Sequence, residues 1–129
     1  MKTGKIVWTG RILSALVFLF MLLDAGSHIA KPAPVVEAFN RLNFPLDLSA
    51  PLGIIAIVCA IVYAIPQTSI LGAILLTGYL GGAVATHFRA RDPLFDTVFP
   101  IIFGVLAWSG VYLRSAPLRT LLPIAKNQI

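Results

Sequence analysis

Four apolar stretches occupy nearly half of the 129 residues of this chain and constrain its fold more than any other feature. They cover residues 12–23, 52–65, 70–85 and 98–113. Because an α-helix rises about 1.5 Å per residue, each stretch, with a few flanking residues, can cross a bilayer core about 30 Å thick. Backbone polar groups in lipid must pair within their own segment, and the alternation typical of membrane β-barrels is absent. The sequence therefore predicts four membrane-spanning helices.

Composition supports the same fold class. The chain is 58% apolar and 12% charged, and a soluble domain of that composition would expose a large apolar surface to water. We predict an all-α fold, a single membrane domain over residues 1–129 that forms a four-transmembrane-helix bundle. The expected spans are residues 7–27, 50–65, 69–87 and 96–114.

The first connection, by contrast, is too long for a simple turn, and it contains an amphipathic segment. Val35, Phe39 and Leu42 fall on one helical face, while Glu37 and Arg41 are spaced i,i+4 on the other. We expect a short interfacial helix over about residues 34–42, with a mobile loop as the alternative.

The basic residues indicate topology instead of a nucleic-acid partner. The net charge is +5, but the ten Lys and Arg residues are scattered over the ends of the apolar stretches, so we expect no nucleic-acid binding. With four crossings, six of them lie on the side of the termini and four on the other. This distribution favours an integral protein of a bacterial inner membrane with both termini in the cytoplasm.

The first apolar stretch has a second interpretation. Lys2, Lys5 and Arg11 precede it and small residues 25–27 follow it, a pattern that also occurs in cleavable signal peptides. We favour a spanning helix, since three further spans follow. With the first stretch the bundle has four helices, whereas without it an odd number would remain.

The third apolar stretch carries a stripe of small residues. Gly78, Gly81, Gly82 and Ala85 are spaced i, i+3, i+4 and i+7 and therefore share one helical face. Each glycine lowers helix stability by roughly 1 kcal/mol relative to alanine. We therefore expect the close approach of another group to the helix backbone, which glycine permits, to compensate for this cost. We expect helix packing along this stripe, and a flat ligand is the alternative occupant.

Three ionisable side chains near the ends of the apolar stretches form the candidate catalytic site. Asp24 continues the first stretch and His28 lies one turn later, so the pair can share a hydrogen bond or a proton. His87 ends the third stretch at the same level. Ionisable groups at membrane depth are costly unless paired, which makes them functional candidates. The alternatives are an Asp24 that only reaches the headgroups and a His87 with a structural role.

Other chemistries find little support in the sequence. Asp24, His28 and His87 match no recognised metal-ligand spacing, so we expect no metal site. Cys59 is the single cysteine, which excludes intramolecular dithiol chemistry. Motifs for haem attachment, nucleotides or dinucleotides do not occur.

The segment TGYLGGAVATHFR at residues 77–89, followed by DPLF at residues 92–95, resembles the DoxX-like family. The resemblance extends over essentially the whole chain, including the polar end of the first span and the long first connection. It implies a four-helix membrane protein related to the membrane subunit of thiosulfate:quinone oxidoreductase. Other members of the family are partners in redox-stress complexes or assembly chaperones for receptors. The resemblance supplies no redox centre, because this chain has no cofactor motif.

Two functions of different class follow from the resemblance. In the first, the protein is a quinone-linked oxidoreductase or a membrane subunit of a redox complex, with the quinone ring against the third span. Asp24 and His28 would then handle protons, and Arg89, Arg91 and Tyr79 would bind substrate. In the second, the chain is a non-enzymatic scaffold or chaperone that binds a lipid, a second copy or a partner membrane protein. Whether the chain is an enzyme stays open at this point.

Overall fold

The computed structural model describes residues 2–125 and contains, within that range, six α-helices and no strand. The helices are α1 (Lys2–Ala30), α2 (Ala33–Arg41), α3 (Ser49–Ala64), α4 (Ser69–Arg89), α5 (Leu94–Arg114) and α6 (Ala116–Leu121). Four of them, α1, α4, α5 and α3 together with the 3-10 turn Leu46–Leu48 that precedes it, are long and apolar enough to cross a membrane. The predicted all-α, four-span fold class is confirmed.

The four long helices form a closed ring of neighbours. Helix α1 packs against α3 and α5, and α4 packs against the same two helices from the other side. The first and third spans, α1 and α4, therefore face each other across the diagonal of the bundle. Side chains from these two helices have to reach across the core to meet.

The outer surface of the bundle is apolar. Side chains such as Leu19, Leu23 and Ile54 are more than half exposed, whereas Val17, Met21 and Leu76 fill the interior. Exposed aliphatic side chains on every long helix would be unfavourable in water and suit a lipid environment. The chain is an integral membrane protein.

Close helix packing depends on glycines other than the predicted ones. A Cβ atom added at Gly53 would lie 2.7 Å from the carbonyl oxygen of Ala25, and one at Gly10 would lie 2.7 Å from the carbonyl oxygen of Gly110. At Gly72 the added atom would overlap the backbone of Tyr63. Gly53 therefore allows close contact between α1 and α3, Gly10 between α1 and α5, and Gly72 between α3 and α4.

The small-residue stripe on α4, by contrast, does not pack against another helix of this chain. A Cβ atom added at Gly78, Gly81 or Gly82 would meet nothing within 4 Å, and Ala85 is exposed. Leu80, on the opposite face, is the side chain that enters the core. The predicted helix packing along this stripe is wrong within the chain, because the i, i+3, i+4 spacing defines a face without saying which way that face points.

Helix α2 occurs where the short amphipathic helix was expected. Its residue Phe39 is buried, and so is Leu42 just beyond its end. The Phe39 and His28 rings form an edge-to-face contact, with 5.6 Å between centroids. The apolar side of α2 therefore covers the end of the bundle where α1 stops and α3 starts.

Candidate functional site

A cavity of about 330 Å³ lies under α2, at the end of the bundle that carries the acidic residues. Both histidines of the chain, His28 and His87, line it together with Tyr79. Most of the other lining is apolar, and Gly78 and Gly82 of α4 form part of the wall. Because no helix of this chain packs against the small-residue stripe of α4, the cavity can extend to the backbone at Gly78 and Gly82.

The orientation of His28 is fixed from within α1. Its Nδ1 lies 2.8 Å from the carbonyl oxygen of Asp24, and a carbonyl oxygen only accepts hydrogen bonds. Nδ1 therefore carries the proton and donates it, which leaves Nε2 free for a ligand. The carboxylate of Asp24 is also close, with Oδ2 at 3.7 Å from Nδ1. The i,i+4 spacing that suggested the pair brings the two residues together as expected.

Tyr79 links this pair to the opposite helix. Its hydroxyl lies 3.5 Å from Oδ2 of Asp24, a long hydrogen bond that crosses the bundle diagonal from α4 to α1. Ser49 of α3 adds a second tie at this level, since its hydroxyl donates to the carbonyl oxygen of His28 over 2.6 Å. The first three spans are thus joined by polar contacts beside the cavity.

His87 is held by a carboxylate that was not among the predicted site residues. Nδ1 of His87 lies 2.6 Å from Oδ2 of Asp92, and the Asp92 side chain is only 1% exposed. Arg41 of α2 donates to the same carboxylate through Nε at 2.6 Å and Nη2 at 3.3 Å. The hydrogen bond from Arg41 and, to a smaller extent, that with His87 lower the pKa of Asp92 below its usual value.

The local backbone explains how Asp92 reaches His87. Arg91 adopts a left-handed conformation with φ 54° immediately after α4. The N–H of Asp92 then donates to the carbonyl oxygen of His87 over 3.0 Å, and that of Arg91 donates to Phe88 over 3.1 Å. This is the Schellman ending of an α-helix, which folds the chain back over the last turn. The carboxylate thereby comes to lie beside the imidazole of His87.

An ionised Asp92 accepts from Nδ1–H of His87, so Nε2 is again the nitrogen left for a ligand. Both histidines of the cavity therefore have Nδ1 engaged and Nε2 available. The sequence indicated the two histidines but not Arg41 and Asp92, which are 51 residues apart. The only local signal was the i,i+5 spacing of His87 and Asp92 across a helix end.

The two arginines expected to bind substrate do not line this cavity. Arg89 donates from Nη2 to the carbonyl oxygen of Leu42 over 2.9 Å and so ties α4 to the segment that follows α2. Arg91 occupies the left-handed position and is exposed. Over residues 2–125, no group of three or more His, Cys, Asp or Glu side chains is arranged to hold a metal ion.

A second, larger cavity of about 640 Å³ lies on the outer side of α4 and α5. It is mostly apolar and includes Gly81 and Gly104, so the small-residue stripe of α4 is divided between two cavities. Nε1 of Trp108 donates to the hydroxyl of Thr77 over 2.7 Å along its wall. This groove carries no charged group among its lining residues.

Comparison with known proteins identifies the family. The model of the DoxX-like family matches residues 12–110, which include the glycine-rich segment, both histidines and Asp92. Neither the curated proteins nor the solved structures gave a match. A family match over this much of the chain confirms the resemblance seen in the sequence: the protein belongs to the DoxX-like family.

Proposed function

We propose that the cavity under α2 binds the ring of a membrane quinone and that the protein is a quinone-linked oxidoreductase or the quinone-binding membrane subunit of a redox complex. One observation carries this proposal. Two histidines, each with Nδ1 held by an acceptor, share one mostly apolar cavity next to lipid. Apolar walls with a few converging polar groups are typical of small-molecule sites.

The shape of the cavity suits a flat ring. Its volume of about 330 Å³ is at the lower end of the range of roughly 300–1,000 Å³ usual for ligand sites. Gly78 and Gly82 present no side chain, so a planar group can lie against the backbone of α4. Phe39 and Phe44 supply aromatic rings for stacking.

The two histidines match the proton requirement of the reaction. Reducing a quinone to a quinol consumes two electrons and two protons, one proton at each oxygen. A protonated Nε2 of His28 and of His87 can each donate to one oxygen, and the neutral imidazoles can accept from a quinol. The electrons need a donor, which we assign to a partner subunit or a soluble reductant because the chain has one cysteine and no cofactor motif.

Quinone binding can be tested directly on the purified protein in lipid nanodiscs by isothermal titration with a short-chain ubiquinone or menaquinone. We predict saturable binding that weakens about tenfold in His28→Gln and in His87→Gln, since each loses one hydrogen bond between Nε2 and a ring oxygen. Thr9→Val, an exposed change at the other end of α1, is the matched control. Binding that is unaffected by both histidine variants would contradict the proposal.

The apolar groove between α4 and α5 favours a second candidate function. A surface groove of about 640 Å³ suits an acyl chain or a helix of another membrane protein, as a non-enzymatic scaffold or chaperone would require. Native mass spectrometry from mild detergent separates the two functions. A retained quinone supports the first, whereas a retained second copy or partner protein without quinone turnover supports the second.

A further inference from the structure

The end of the bundle opposite the quinone cavity is basic and free of acidic residues. Helix α1 begins there and α5 ends there, so Lys5, Arg11, Arg114 and Arg119 all lie toward this end. All five acidic residues lie toward the other end, at positions 24, 37, 47, 92 and 96. Among residues 2–125, the cations at this end therefore have no Asp or Glu side chain to pair with.

A third cavity, of about 250 Å³, lies at this basic end between α1, α3 and α5. Arg11, Ser14 and Arg114 provide its polar groups. Ala15 and Phe18 of α1 continue it toward the middle of the bundle as an apolar surface. The lining thus changes from cationic to apolar from the end of the bundle inward. This order is complementary to a lipid whose charged headgroup is followed by apolar acyl chains.

Arg114 is fixed in place but incompletely paired. Its Nη2 donates to the hydroxyl of Ser69 over 3.0 Å, and its guanidinium lies 5.6 Å from the centre of the Tyr63 ring. Tyr63 is fully buried and donates to the carbonyl oxygen of Ala107 over 2.8 Å, so the platform under the guanidinium is rigid. Nε of Arg114, however, is buried and has no acceptor among the described residues.

A buried N–H of a charged group without an acceptor is unfavourable, and an anion with several oxygens would satisfy it. Arg11 is exposed at the same cavity, and its guanidinium lies 5.2 Å from the centre of the Trp8 ring. Two guanidinium groups around one opening suit a phosphate, which accepts several N–H bonds at once. Arg114 is also the last residue of the α5 span, which places the cavity at the level of lipid headgroups.

We infer that this cavity binds the phosphodiester of an anionic phospholipid. Arg11 and Arg114 contact the phosphate, Ser14 supplies a hydroxyl, and an acyl chain runs along Ala15 and Phe18. A free phosphate would share the contacts with the guanidinium groups but would leave the apolar part of the cavity unused. The site lies at the opposite end from the quinone cavity and does not depend on the function proposed above.

The test is thermal unfolding of the full chain in neutral detergent at about 0.15 M salt, where long-range attraction is screened. Titration with phosphatidylglycerol should raise the unfolding temperature saturably, whereas phosphatidylcholine and inorganic phosphate at equal concentration should not. Arg11→Gln should weaken the phosphatidylglycerol response about tenfold. Lys5→Gln, which removes the same charge at the same end but away from the cavity, should change it less than twofold.

Arg11 makes no hydrogen bond to the described residues, so Arg11→Gln keeps the fold and the comparison remains valid. An equal loss in Arg11→Gln and Lys5→Gln would show general attraction of lipid to a basic surface and overturn the site. An equal response to inorganic phosphate would show a free anion site and overturn the lipid assignment. Native mass spectrometry should detect one retained phosphatidylglycerol per chain, and its loss in Arg11→Gln would support the site.

Discussion

At the residue scale, Asp92 joins three separate parts of the chain. It accepts from Arg41 of α2, pairs with His87 at the end of α4 and lies just before α5. A buried carboxylate with two cationic or hydrogen-bonding partners is stabilised in its ionised form. The same contacts orient the His87 imidazole in the cavity, so Asp92 acts on the site through His87.

This arrangement predicts a pH dependence of stability. The folded state lowers the pKa of Asp92 from the ordinary value of 3.8, so its contribution is complete above that value and is lost as the pH falls below it. In detergent, the unfolding temperature should fall more steeply between pH 7 and pH 3 in the wild type than in Asp92→Asn. Asp96→Asn, at a more exposed carboxylate 4.0 Å from Arg41, is the control and should follow the wild type. Parallel curves for the wild type and Asp92→Asn would contradict the pairing.

At the scale of elements, the glycines of α4 divide into two kinds. Gly72 lies against the backbone of Tyr63 on α3, whereas Gly82 faces the cavity and has nothing within 4 Å of an added Cβ atom. Gly72 therefore serves the contact of α4 with α3, and the open surface around Gly82 is available to a ligand.

The two kinds of glycine should respond in opposite ways to substitution. We predict that Gly72→Ala lowers the free energy of unfolding by about 1–3 kcal/mol through overpacking against α3. Gly82→Leu should leave the unfolding temperature nearly unchanged but abolish quinone binding, because the leucine side chain fills the cavity. Unfolding in detergent and titration with quinone, on the same preparations, measure both effects. A strongly destabilised Gly82→Leu would mean that the stripe packs against something in the native protein.

The sequence predicted the elements well and the contacts between them poorly. Apolar length and charge depletion determine the four spans, and the spacing of Asp24 and His28 determines their contact, because both are local properties. Which face of α4 points inward depends on how α3 and α5 pack around it, so the stripe from Gly78 to Ala85 was misassigned. The Arg41 to Asp92 contact joins two connections, and no local pattern indicates such a pair.

At the scale of the whole molecule, the protein is polarised from end to end. The acidic residues, both histidines and the proposed quinone cavity lie at one end together with four of the ten basic residues. The other end, where α1 begins and α5 ends, carries basic side chains and no Asp or Glu. Basic ends of membrane proteins favour the cytoplasmic side. The proposed quinone cavity would then open toward the non-cytoplasmic face of the membrane.

This topology has a direct consequence for reporter fusions. A reporter fused to Ile129 should be active in the cytoplasm, whereas one inserted at Ala33, the first residue of α2, should be active on the opposite side. The basic-residue distribution and the four crossings give this result together. The prediction places three crossings between Ala33 and Ile129, so equal locations for the two reporters would contradict the four-span fold. Exchanged locations would keep the four spans but show that the termini lie on the non-cytoplasmic side.

The central claim is that one cavity, bounded by His28, His87 and the open glycines of α4, holds a quinone. Labelling with a photoreactive short-chain quinone, followed by peptide mapping, tests it most directly. We predict that the label falls on residues 78–87 or on the segment of residues 39–44, that unlabelled quinone competes it away, and that Gly82→Leu removes it. Label confined to the groove around Trp108 and Tyr112, or label that unlabelled quinone does not displace, would contradict the account.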